Sequence, residues 1–320
     1  MAATKIMSSA EAVRRFIGDG AQITLGGFTI ARNAMVIIHE LIRQRRRNLH
    51  LVCHSNGQGL DLLIGAGCVA KLEIAYSGNG RFAPTCIRFR LAAERGEIAL
   101  EDYSNFQMSL RFLAGSLGIP FIPAKSGLGT DILQKEGFSP ELRKARKTAP
   151  KKTILLQNPF ADQADPVVLL PALNPDVALI HCQQAGDDGT VRIRGLSFAD
   201  IELAKAADAV IVSCEEVVPA ASLRAEPERN AIPPFLVDAV VPAPFGAHPT
   251  ACPYCYDYDA AHLNLYKGMA KDDGLFRQYL DDWVYGVPDH AAYLKKVGRE
   301  GLAAIRTDGV SLYKKGLKRS

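Results

Sequence analysis

The sequence predicts an α/β protein with a doubly wound, mostly parallel sheet and flanking helices. Two observations support this class: short β-rich runs alternate with helical patterns in the N-terminal half, and further strands follow residue 152. Alternation of this kind indicates βαβ units, whose crossovers are right-handed in nearly all cases. A length of 320 residues with 48% hydrophobic content is enough to bury a large core. We expect the ligand crevice beyond the carboxyl ends of the strands.

The elements of the N-terminal half are predicted from apolar periodicity and residue type. Its strand candidates are Gln22–Leu25, Leu49–Cys53, Leu72–Tyr76, Ile98–Leu100 and Phe121–Pro123. Its helix candidates are Asn33–Arg46, Gly59–Gly65, Pro84–Arg95 and Asn105–Leu117. These segments alternate along the chain, which is why we expect the strands to lie parallel in one sheet.

A basic stretch from Gly137 to Lys152 separates the two halves. We interpret it as a solvated helix and connector in preference to a polyanion-binding patch. The later strand candidates are Thr153–Leu156, Val167–Leu170, Val177–Cys182, Val191–Arg194, Ala209–Ser213 and Phe235–Val240. The later helix candidates are Ile201–Ala207, Leu263–Tyr285 and Ala291–Ile305. We expect one domain over residues 1–320, with a helical C-terminal region from about residue 260.

Composition excludes several classes of function. The formal net charge of +4 is too small to indicate nucleic acid or a membrane surface as a partner. No apolar run approaches the roughly 20 residues that span a bilayer, and the segment from Met1 to Ala10 lacks the apolar core of a signal peptide. Seven scattered cysteines fit reduced thiols better than a disulfide framework. We therefore expect a cytoplasmic protein.

Two adjacent glycines, Gly26 and Gly27, lie between the first predicted strand and the first predicted helix. Paired glycines permit positive φ and let backbone N–H groups approach a ligand closely. Such N–H groups near a helix N-terminus suit a developing negative charge. A tight strand-to-helix turn explains the same residues, and the local sequence leaves both interpretations open.

The surrounding residues carry a family resemblance. The run Asp19-Gly20-x-x-Ile23-Thr24-Leu25-Gly26-Gly27-Phe28 resembles the signature of the A subunit of family I coenzyme A transferases. Further blocks resemble the glutaconate CoA-transferase branch, in this order: Glu101-Asp102-Tyr103-Ser104, Asn158-Pro159-Phe160, Cys214-Glu215-Glu216, Pro244 to Pro249 and Tyr256-Asp257-Tyr258-Asp259. One departure is that the family pattern continues Gly-Gly-Phe-x-x-x-Gly-x-Pro, whereas this chain has Arg32-Asn33-Ala34.

The resemblance implies the CoA-transferase and sugar-phosphate-isomerase type of fold and a covalent reaction. In this family the nucleophile is a glutamate of the B subunit. It attacks an acyl-CoA thioester, giving an acyl-glutamyl anhydride and then a glutamyl-CoA thioester. The resemblance implies that the backbone of Gly26 and Gly27 forms the oxyanion hole and that Phe28 contributes to substrate binding. It implies CoA thioester as substrate and no bound cofactor.

The turn His54-Ser55-Asn56-Gly57 is similar to the Ser-Glu-Asn-Gly motif of B subunits, but it has no glutamate. A partner B subunit is therefore implied, in a heterotetramer or larger assembly that acts on an acyl-CoA and a carboxylic acid. The turn Ser77-Gly78-Asn79-Gly80 resembles a substrate-facing loop of A subunits, which makes Ser77 and Asn79 candidate substrate-binding residues. Ordinary turn chemistry would also account for that loop.

A hydrolase is the alternative function. A branch of the superfamily that cleaves steroid rings uses an acidic residue of its A subunit in the region of Glu101 and Asp102. The local sequence from Leu100 to Ser104 is closer to the glutaconate enzyme. A sugar-phosphate isomerase would need a phosphate loop, for which we find no motif. A non-enzymatic sensor would keep the fold but lose the active site, and the presence of Gly26-Gly27 argues against it.

Three other motifs admit a structural and a functional interpretation. Glu215 and Glu216 follow an apolar strand and suit either acid–base chemistry or a hydrogen-bonded strand end. His248 lies in a Pro-rich loop, where a structural role is the more common. Cys252-Pro253-Tyr254-Cys255 has the spacing of a redox motif but follows a loop and does not open a helix, so we expect it to be coincidental. The seven histidines show no zinc-ligand spacing, and we expect no metal.

Overall fold

A mainly parallel eight-stranded sheet forms the centre of the structure, a computed structural model that describes residues 4–317. The strands of the chain are β1 (Gln22–Leu25), β2 (Leu49–Asn56), β3 (Val69–Ser77), β4 (Ala99–Asp102), β5 (Phe121–Ala124), β6 (Ile154–Gln157), β7 (Pro166–Pro171), β8 (Val177–Gly186), β9 (Val191–Arg192), β10 (Ala209–Val218) and β11 (Ala239–Pro242). The central sheet has the order β11-β10-β8-β1-β2-β3-β4, and β9 pairs antiparallel with β8.

The chain starts this sheet in the middle and winds outwards in both directions. From β1 it adds β2, β3 and β4 on one side, and β8, β10 and β11 follow on the other. The neighbouring pairs are parallel, for example β1 with β2 and β1 with β8. The doubly wound, mostly parallel sheet predicted from the sequence is therefore confirmed. Both faces are covered, and Ile23, Leu179 and Ile211 are fully inaccessible to solvent.

Helices lie between and beyond the strands. They are α1 (Ser9–Phe16), α2 (Met35–Arg43), α3 (Gln58–Gly65), α4 (Ile87–Glu94), α5 (Asn105–Ser116), α6 (Asp200–Ala206), α7 (Ala220–Arg224), α8 (Ala260–Met269), α9 (Asp273–Leu280), α10 (His290–Val297) and α11 (Arg299–Ile305). A π-helical turn, Asp281–Tyr285, extends α9.

The C-terminal helices are shorter than the sequence pattern suggests. The predicted helix Leu263–Tyr285 is divided because Asp272 caps a new helix, accepting hydrogen bonds from the N–H groups of Gly274 and Leu275. The predicted helix Ala291–Ile305 is divided at Gly298, whose φ of 89° lies outside the helical region. The first helix, α1, was missed, although Ser8 caps it by accepting from the N–H of Glu11.

A second, smaller sheet corrects the sequence prediction. Strands β5, β6 and β7 form an antiparallel sheet of their own, in the order β5-β7-β6. We predicted Phe121–Pro123 as a member of the main parallel alternation, and that assignment is wrong. Strand propensity describes a single segment and does not specify its pairing partner. Strand β7 packs against α5 and buries Val168 and Leu170 completely.

The basic stretch between the halves is only partly solvated. Its one helical element is a short 3₁₀ turn, Leu142–Lys144. Arg143 and Lys152 are buried, and each pairs with an acidic residue at the end of β4. The prediction of a solvated connector is thus wrong for these two residues, because the charge pattern does not reveal which cations find a buried partner.

Across residues 4–317, no helix combines the length and apolar content required to traverse a bilayer.

Candidate active site

Three loops meet at the carboxyl ends of β1, β2 and β3. The loop after β2 touches the other two at Gly57, where a Cβ atom would lie 2.5 Å from Oδ1 of Asn79 and 2.6 Å from the carbonyl oxygen of Thr29. The N–H of Thr29 donates to the carbonyl of Ser55 at 3.4 Å. The structure thus brings together the three loops selected from the sequence, at the edge of the sheet where parallel strands place a ligand crevice.

The turn at Gly26 and Gly27 is a closely packed backbone feature. Gly27 has a φ of 76°, and a Cβ atom there would overlap the carbonyl oxygen of Ala31. The N–H of Gly26 donates to the carbonyl of Leu179 at 2.8 Å. The N–H of Gly27 donates to Oδ1 of Asp200, also at 2.8 Å. Both donors therefore have protein acceptors here, and their oxyanion role stays a prediction.

A buried ion pair that the sequence analysis missed holds this turn. Nη1 of Arg32 lies 2.5 Å from Oδ2 of Asp200, and both side chains are fully inaccessible. The same guanidinium donates to the carbonyls of His181 and Leu196. Asp200 therefore joins Arg32 to the N–H of Gly27, and it is the first residue of α6.

The Arg32–Asp200 pair explains the departure from the family pattern. Arg32 occupies the position where the pattern has its third glycine, and its φ of 53° lies in the left-handed region that favours glycine. An arginine in that conformation carries backbone strain, which the ion pair and two carbonyl hydrogen bonds offset. An arginine at a glycine position, with an aspartate opening a later helix, was the available sequence signal.

Aromatic side chains line a cavity beside these loops. The ring of Phe28 stacks on Phe198, with centroids 5.1 Å apart, and lies 5.8 Å from the ring of His54. The cavity of about 390 Å³ is lined by His54, Phe106, Ser109, Leu110, Leu113, Phe198, Ala199 and Glu202. Burial lowers the pKa of His54, so its imidazole is neutral at pH 7. The cavity wall is mainly apolar and includes one carboxylate, that of Glu202.

The two candidate substrate-binding residues after β3 are both buried. Nδ2 of Asn79 donates to Oε1 of Gln58 at 2.9 Å, and the N–H of Asn79 donates to the carbonyl of Ala83. Ser77, at the end of β3, is also buried. In this structure both residues lie beneath the protein surface and support the loop after β3. Their role in binding substrate stays a prediction.

The sequence identifies the family to which this site belongs. A sequence model described as coenzyme A transferase matches residues 6–243. Over 304 residues, 95% of each chain, the protein is 37% identical to the A subunit of glutaconate CoA-transferase from Acidaminococcus fermentans. The chain belongs to the coenzyme A transferase family. The solved structure of the Acidaminococcus fermentans glutaconate coenzyme A-transferase superimposes with a TM-score of 0.94 at 36% identity, over 97% of this chain and 98% of that chain.

Two other similar proteins have names that describe different activities. The chain is 29% identical to the A subunit of 3-oxoadipate CoA-transferase from Pseudomonas knackmussii, over 92% of this chain and 98% of that protein. It is also 29% identical to the IpdA subunit of the cholesterol ring-cleaving hydrolase from Rhodococcus jostii, over 88% of this chain and 93% of that protein. The family recognised in the sequence is confirmed.

The two acids considered for a hydrolase are engaged in ion pairs. Glu101 is fully buried; its Oε1 accepts from the N–H of Gly137 at 2.6 Å and its Oε2 from Arg143 at 2.5 Å. Asp102 is more exposed and accepts from Nζ of Lys152 at 3.1 Å. With both oxygens occupied, the Glu101 carboxylate stabilises the end of β4 in this structure.

Glu215 lies in a hydrogen-bonded network, as the structural interpretation expects, but inside β10, which continues to Val218, and not at the end of the strand. Its Oε2 accepts from the N–H of Phe245 at 2.7 Å, and its Oε1 accepts from the hydroxyl of Tyr256 at 2.8 Å. Nε2 of His181 lies 2.8 Å from the same Oε1. Ligand atoms of His181, Glu215 and Cys252 lie within 4.8 Å of one another, a separation that would suit a metal ion. The hydrogen bonds already satisfy the imidazole and the carboxylate.

The remaining motifs have structural surroundings. His248 is buried between the hydroxyl of Tyr293, 2.7 Å from Nδ1, and Asp259, 3.0 Å from Nε2. Cys252 is fully buried, and burial raises the pKa of its thiol well above the usual value. Cys252 forms a β-bridge with Tyr256, Cys255 lies in the turn between them, and no helix starts there. A raised thiol pKa is the reverse of what a redox site requires.

Proposed function

We propose that this chain is the A subunit of a heteromeric CoA transferase, which moves CoA between an acyl-CoA and a carboxylic acid. The TM-score of 0.94 with the glutaconate enzyme, over 97% of the chain, is the observation that carries the proposal. The names of the glutaconate and 3-oxoadipate relatives, both A subunits of CoA-transferases, support the same activity. The CoA thioester is a substrate, and the proposed cycle needs no resident cofactor.

The nucleophilic glutamate is proposed to come from a B subunit. In the loops that meet at Gly57, the turn from His54 to Gly57 contains no carboxylate. The nearby Asp200 is fully buried and its two oxygens accept from Gly27 and Arg32, so it is not available to attack a thioester. A carboxylate from a partner would complete the site, giving an enzyme-bound glutamyl-CoA. A heterotetramer or larger is the assembly we propose.

The Gly26-Gly27-Phe28 turn is proposed to form this chain's wall of the active site. Each tetrahedral intermediate needs fixed donors aimed at its oxyanion. For the N–H of Gly27 to serve, it would exchange Oδ1 of Asp200 for the substrate oxygen. Phe28 contributes an apolar surface beside His54, and Ser77 and Asn79 are proposed to fix the third loop of the wall.

The free thiols of this chain are consistent with a reducing cellular compartment. All seven cysteines are free, and six of them are buried. Proteins with unpaired, buried cysteines and no disulfide framework are typical of the cytosol. We therefore propose a cytoplasmic enzyme.

The hydrolase is the weaker candidate. It is supported by the relative that cleaves cholesterol rings, but Glu101 would have to leave Arg143 and the N–H of Gly137 to reach a substrate. Removing one partner of a buried ion pair costs about 3–5 kcal/mol. A transferase makes no such demand, because its carboxylate comes from the partner.

The experiment uses the chain purified alone and together with its B subunit. Supplied with acyl-CoA but no acceptor acid, the complex should accumulate CoA on the partner's glutamate, which borohydride or hydroxylamine would trap. Adding an acceptor acid should then release the new acyl-CoA at steady state. The isolated chain should show neither reaction. Turnover by the homogeneous isolated chain would contradict the assignment.

Two variants distinguish transferase from hydrolase. Continuous release of free CoA without an acceptor, abolished in Glu101→Gln or in Asp102→Asn, would establish the hydrolase and overturn our proposal. For a transferase, Glu101→Gln should lower the thermal stability, while the folded fraction still transfers CoA. The more exposed Asp102→Asn is the matched control for loss of one negative charge at the end of β4.

A further inference from the structure

The aromatic cavity beside the three converging loops has walls from two helices. On one side, α5 contributes residues at helical spacing: Phe106, Ser109, Leu110 and Leu113. The start of α6 and the two residues before it form the other side. Phe106 exposes 61% of its surface, so this wall is accessible from solvent. The volume of about 390 Å³ lies at the low end of the range for small-molecule sites.

The backbone of Phe198 has an unusual conformation at this cavity. Its φ of 52° lies in the left-handed region, which is an outlier for a bulky residue. Such conformations persist where the surrounding structure imposes them, and they cluster at ligand sites. The ring of Phe198 lines the cavity and stacks on Phe28, the residue that follows the glycine turn. The cavity therefore adjoins the turn that carries the proposed oxyanion donors.

The position and lining of the cavity suit the acyl group better than CoA. A thioester whose oxygen faces the glycine turn has its acyl group on one side of the carbonyl carbon and CoA on the other. A whole CoA does not fit in this volume, and the amides of its pantetheine arm need hydrogen-bond partners. The wall is mainly apolar, and the hydroxyl of Ser109 already donates to the carbonyl of Asn105 at 3.1 Å. An acyl chain needs only apolar surface.

The charge of the cavity wall comes from one residue. Among the described residues that line the cavity, Glu202 has the only carboxylate, and none is lysine or arginine. Between residues 4 and 317, no hydrogen bond or ion pair engages that carboxylate. The guanidinium of Arg32 lies 5.5 Å from the centroid of the Phe198 ring, but Asp200 already pairs with its charge. The lining thus presents a negative charge without a compensating cation.

We propose that Glu202 selects the acyl group: the acyl site of this chain accepts apolar monocarboxylic acids and rejects acids with a second carboxylate. The inference rests on the proposed function, because it concerns the acyl half of the same substrate. Like charges a few ångströms apart at a partly buried site repel each other strongly. A second carboxylate at the far end of the acyl chain would meet Glu202 without a cation in the lining. A methyl group in its place gains from burial against Phe106 and Leu113.

The test compares two acyl-CoA donors of equal chain length, pentanoyl-CoA and glutaryl-CoA, with the complex of this chain and its B subunit. The donors differ only in the methyl group or carboxylate at the end of the chain. With acetate as the common acceptor, kcat/KM for pentanoyl-CoA should exceed that for glutaryl-CoA by at least about tenfold. Glu202→Gln keeps the shape of the side chain and removes its charge. In this variant the ratio should fall by about tenfold, mainly through a lower KM for glutaryl-CoA.

Two further variants identify charge as the cause. Ser109→Lys adds a cation to the α5 wall and should also lower the ratio, although Glu202 is intact. The matched control is Glu11→Gln, which removes an exposed carboxylate from the third residue of α1, as Glu202 is the third residue of α6. It should leave the ratio unchanged. A wild-type ratio near one, or a Glu202→Gln variant that changes both donors equally, would overturn the proposal.

Binding separates this inference from the proposed function. If the complex transfers CoA from neither donor, the proposed function is wrong, and the dissociation constants of the two thioesters then decide the inference. Tighter binding of pentanoyl-CoA, with a preference that Glu202→Gln reduces, would support the role of Glu202. Equal dissociation constants, or a preference that Glu202→Gln leaves intact, would overturn it.

Discussion

The Arg32–Asp200 pair supports the most specific prediction about the active-site turn. In Asp200→Asn, one amide oxygen replaces two carboxylate oxygens. It can accept from the N–H of Gly27 or from Arg32, and the amide NH₂ then faces the other donor. When the amide oxygen accepts from Gly27, the fully buried guanidinium keeps only the carbonyls of His181 and Leu196 as acceptors. We expect the free energy of unfolding to fall by about 3–5 kcal/mol, as when one partner of a buried pair is removed.

A loss of that size is a large part of the roughly 5–15 kcal/mol that stabilises a typical protein. The measurement is denaturant unfolding of the isolated chain, together with CoA transfer by the complex with its B subunit. The double variant Arg32→Met with Asp200→Leu removes both charges and should recover much of the stability, because apolar replacements of buried pairs are often neutral. Its transfer rate should stay low, since the pair no longer holds the turn that positions the N–H of Gly27.

The control is Glu141→Gln, which breaks an exposed pair with Lys144 and should change the stability by less than about 1 kcal/mol. If Asp200→Asn unfolds within about 1 kcal/mol of the wild type and transfers CoA at the normal rate, the pair does not hold the turn. Equal loss of transfer in the single and double variants, with stability restored only in the double, would support the proposed role in positioning.

Three further predictions follow from backbone conformation, burial and pKa. Gly27→Ala should destabilise the chain by more than about 1 kcal/mol and slow CoA transfer, because the φ of 76° and the overlap with Ala31 both oppose a Cβ atom. The control is Gly18→Ala, where a Cβ atom would lie in open space, and it should cause neither effect. Burial raises the pKa of Asp61 to about 6, so the folded chain binds that proton more tightly than the unfolded chain. This contribution to stability is full below about pH 4 and lost as the pH rises through 6. Between pH 4 and 7, the free energy of unfolding of the wild type should fall by roughly 3 kcal/mol because of this group, and Asp61→Asn should lack that fall. A variant with the same pH dependence as the wild type would contradict the raised pKa of Asp61. Replacing Cys252 and Cys255 by Ala should keep transfer within about tenfold of the wild type, and a larger loss without unfolding would restore the redox interpretation.

The local patterns predicted much of the fold because strands that are buried on both faces of a parallel sheet have a recognisable sequence pattern. Strand β1 is buried on both faces, and β8 begins with four buried apolar residues, so the pattern locates both strands to within a few residues. The same patterns did not assign β5, β6 and β7 to a separate sheet. Pairing depends on which edges meet, and that contact involves residues far apart in the chain.

At the candidate site the sequence alone determined the loops: the glycine turn after β1, the turn without a glutamate after β2 and the turn after β3. Ordered motifs and strand ends are local features, and the topology of a parallel sheet brings such ends to one edge. Only the tertiary structure decided which partners the polar groups of those loops have. The N–H of Gly27, which was predicted to face an oxyanion, donates to Asp200, a residue 173 positions away in the chain. It also buried Glu101 against Arg143. These outcomes depend on the positions of distant charges and on burial, which spacing along the chain does not encode.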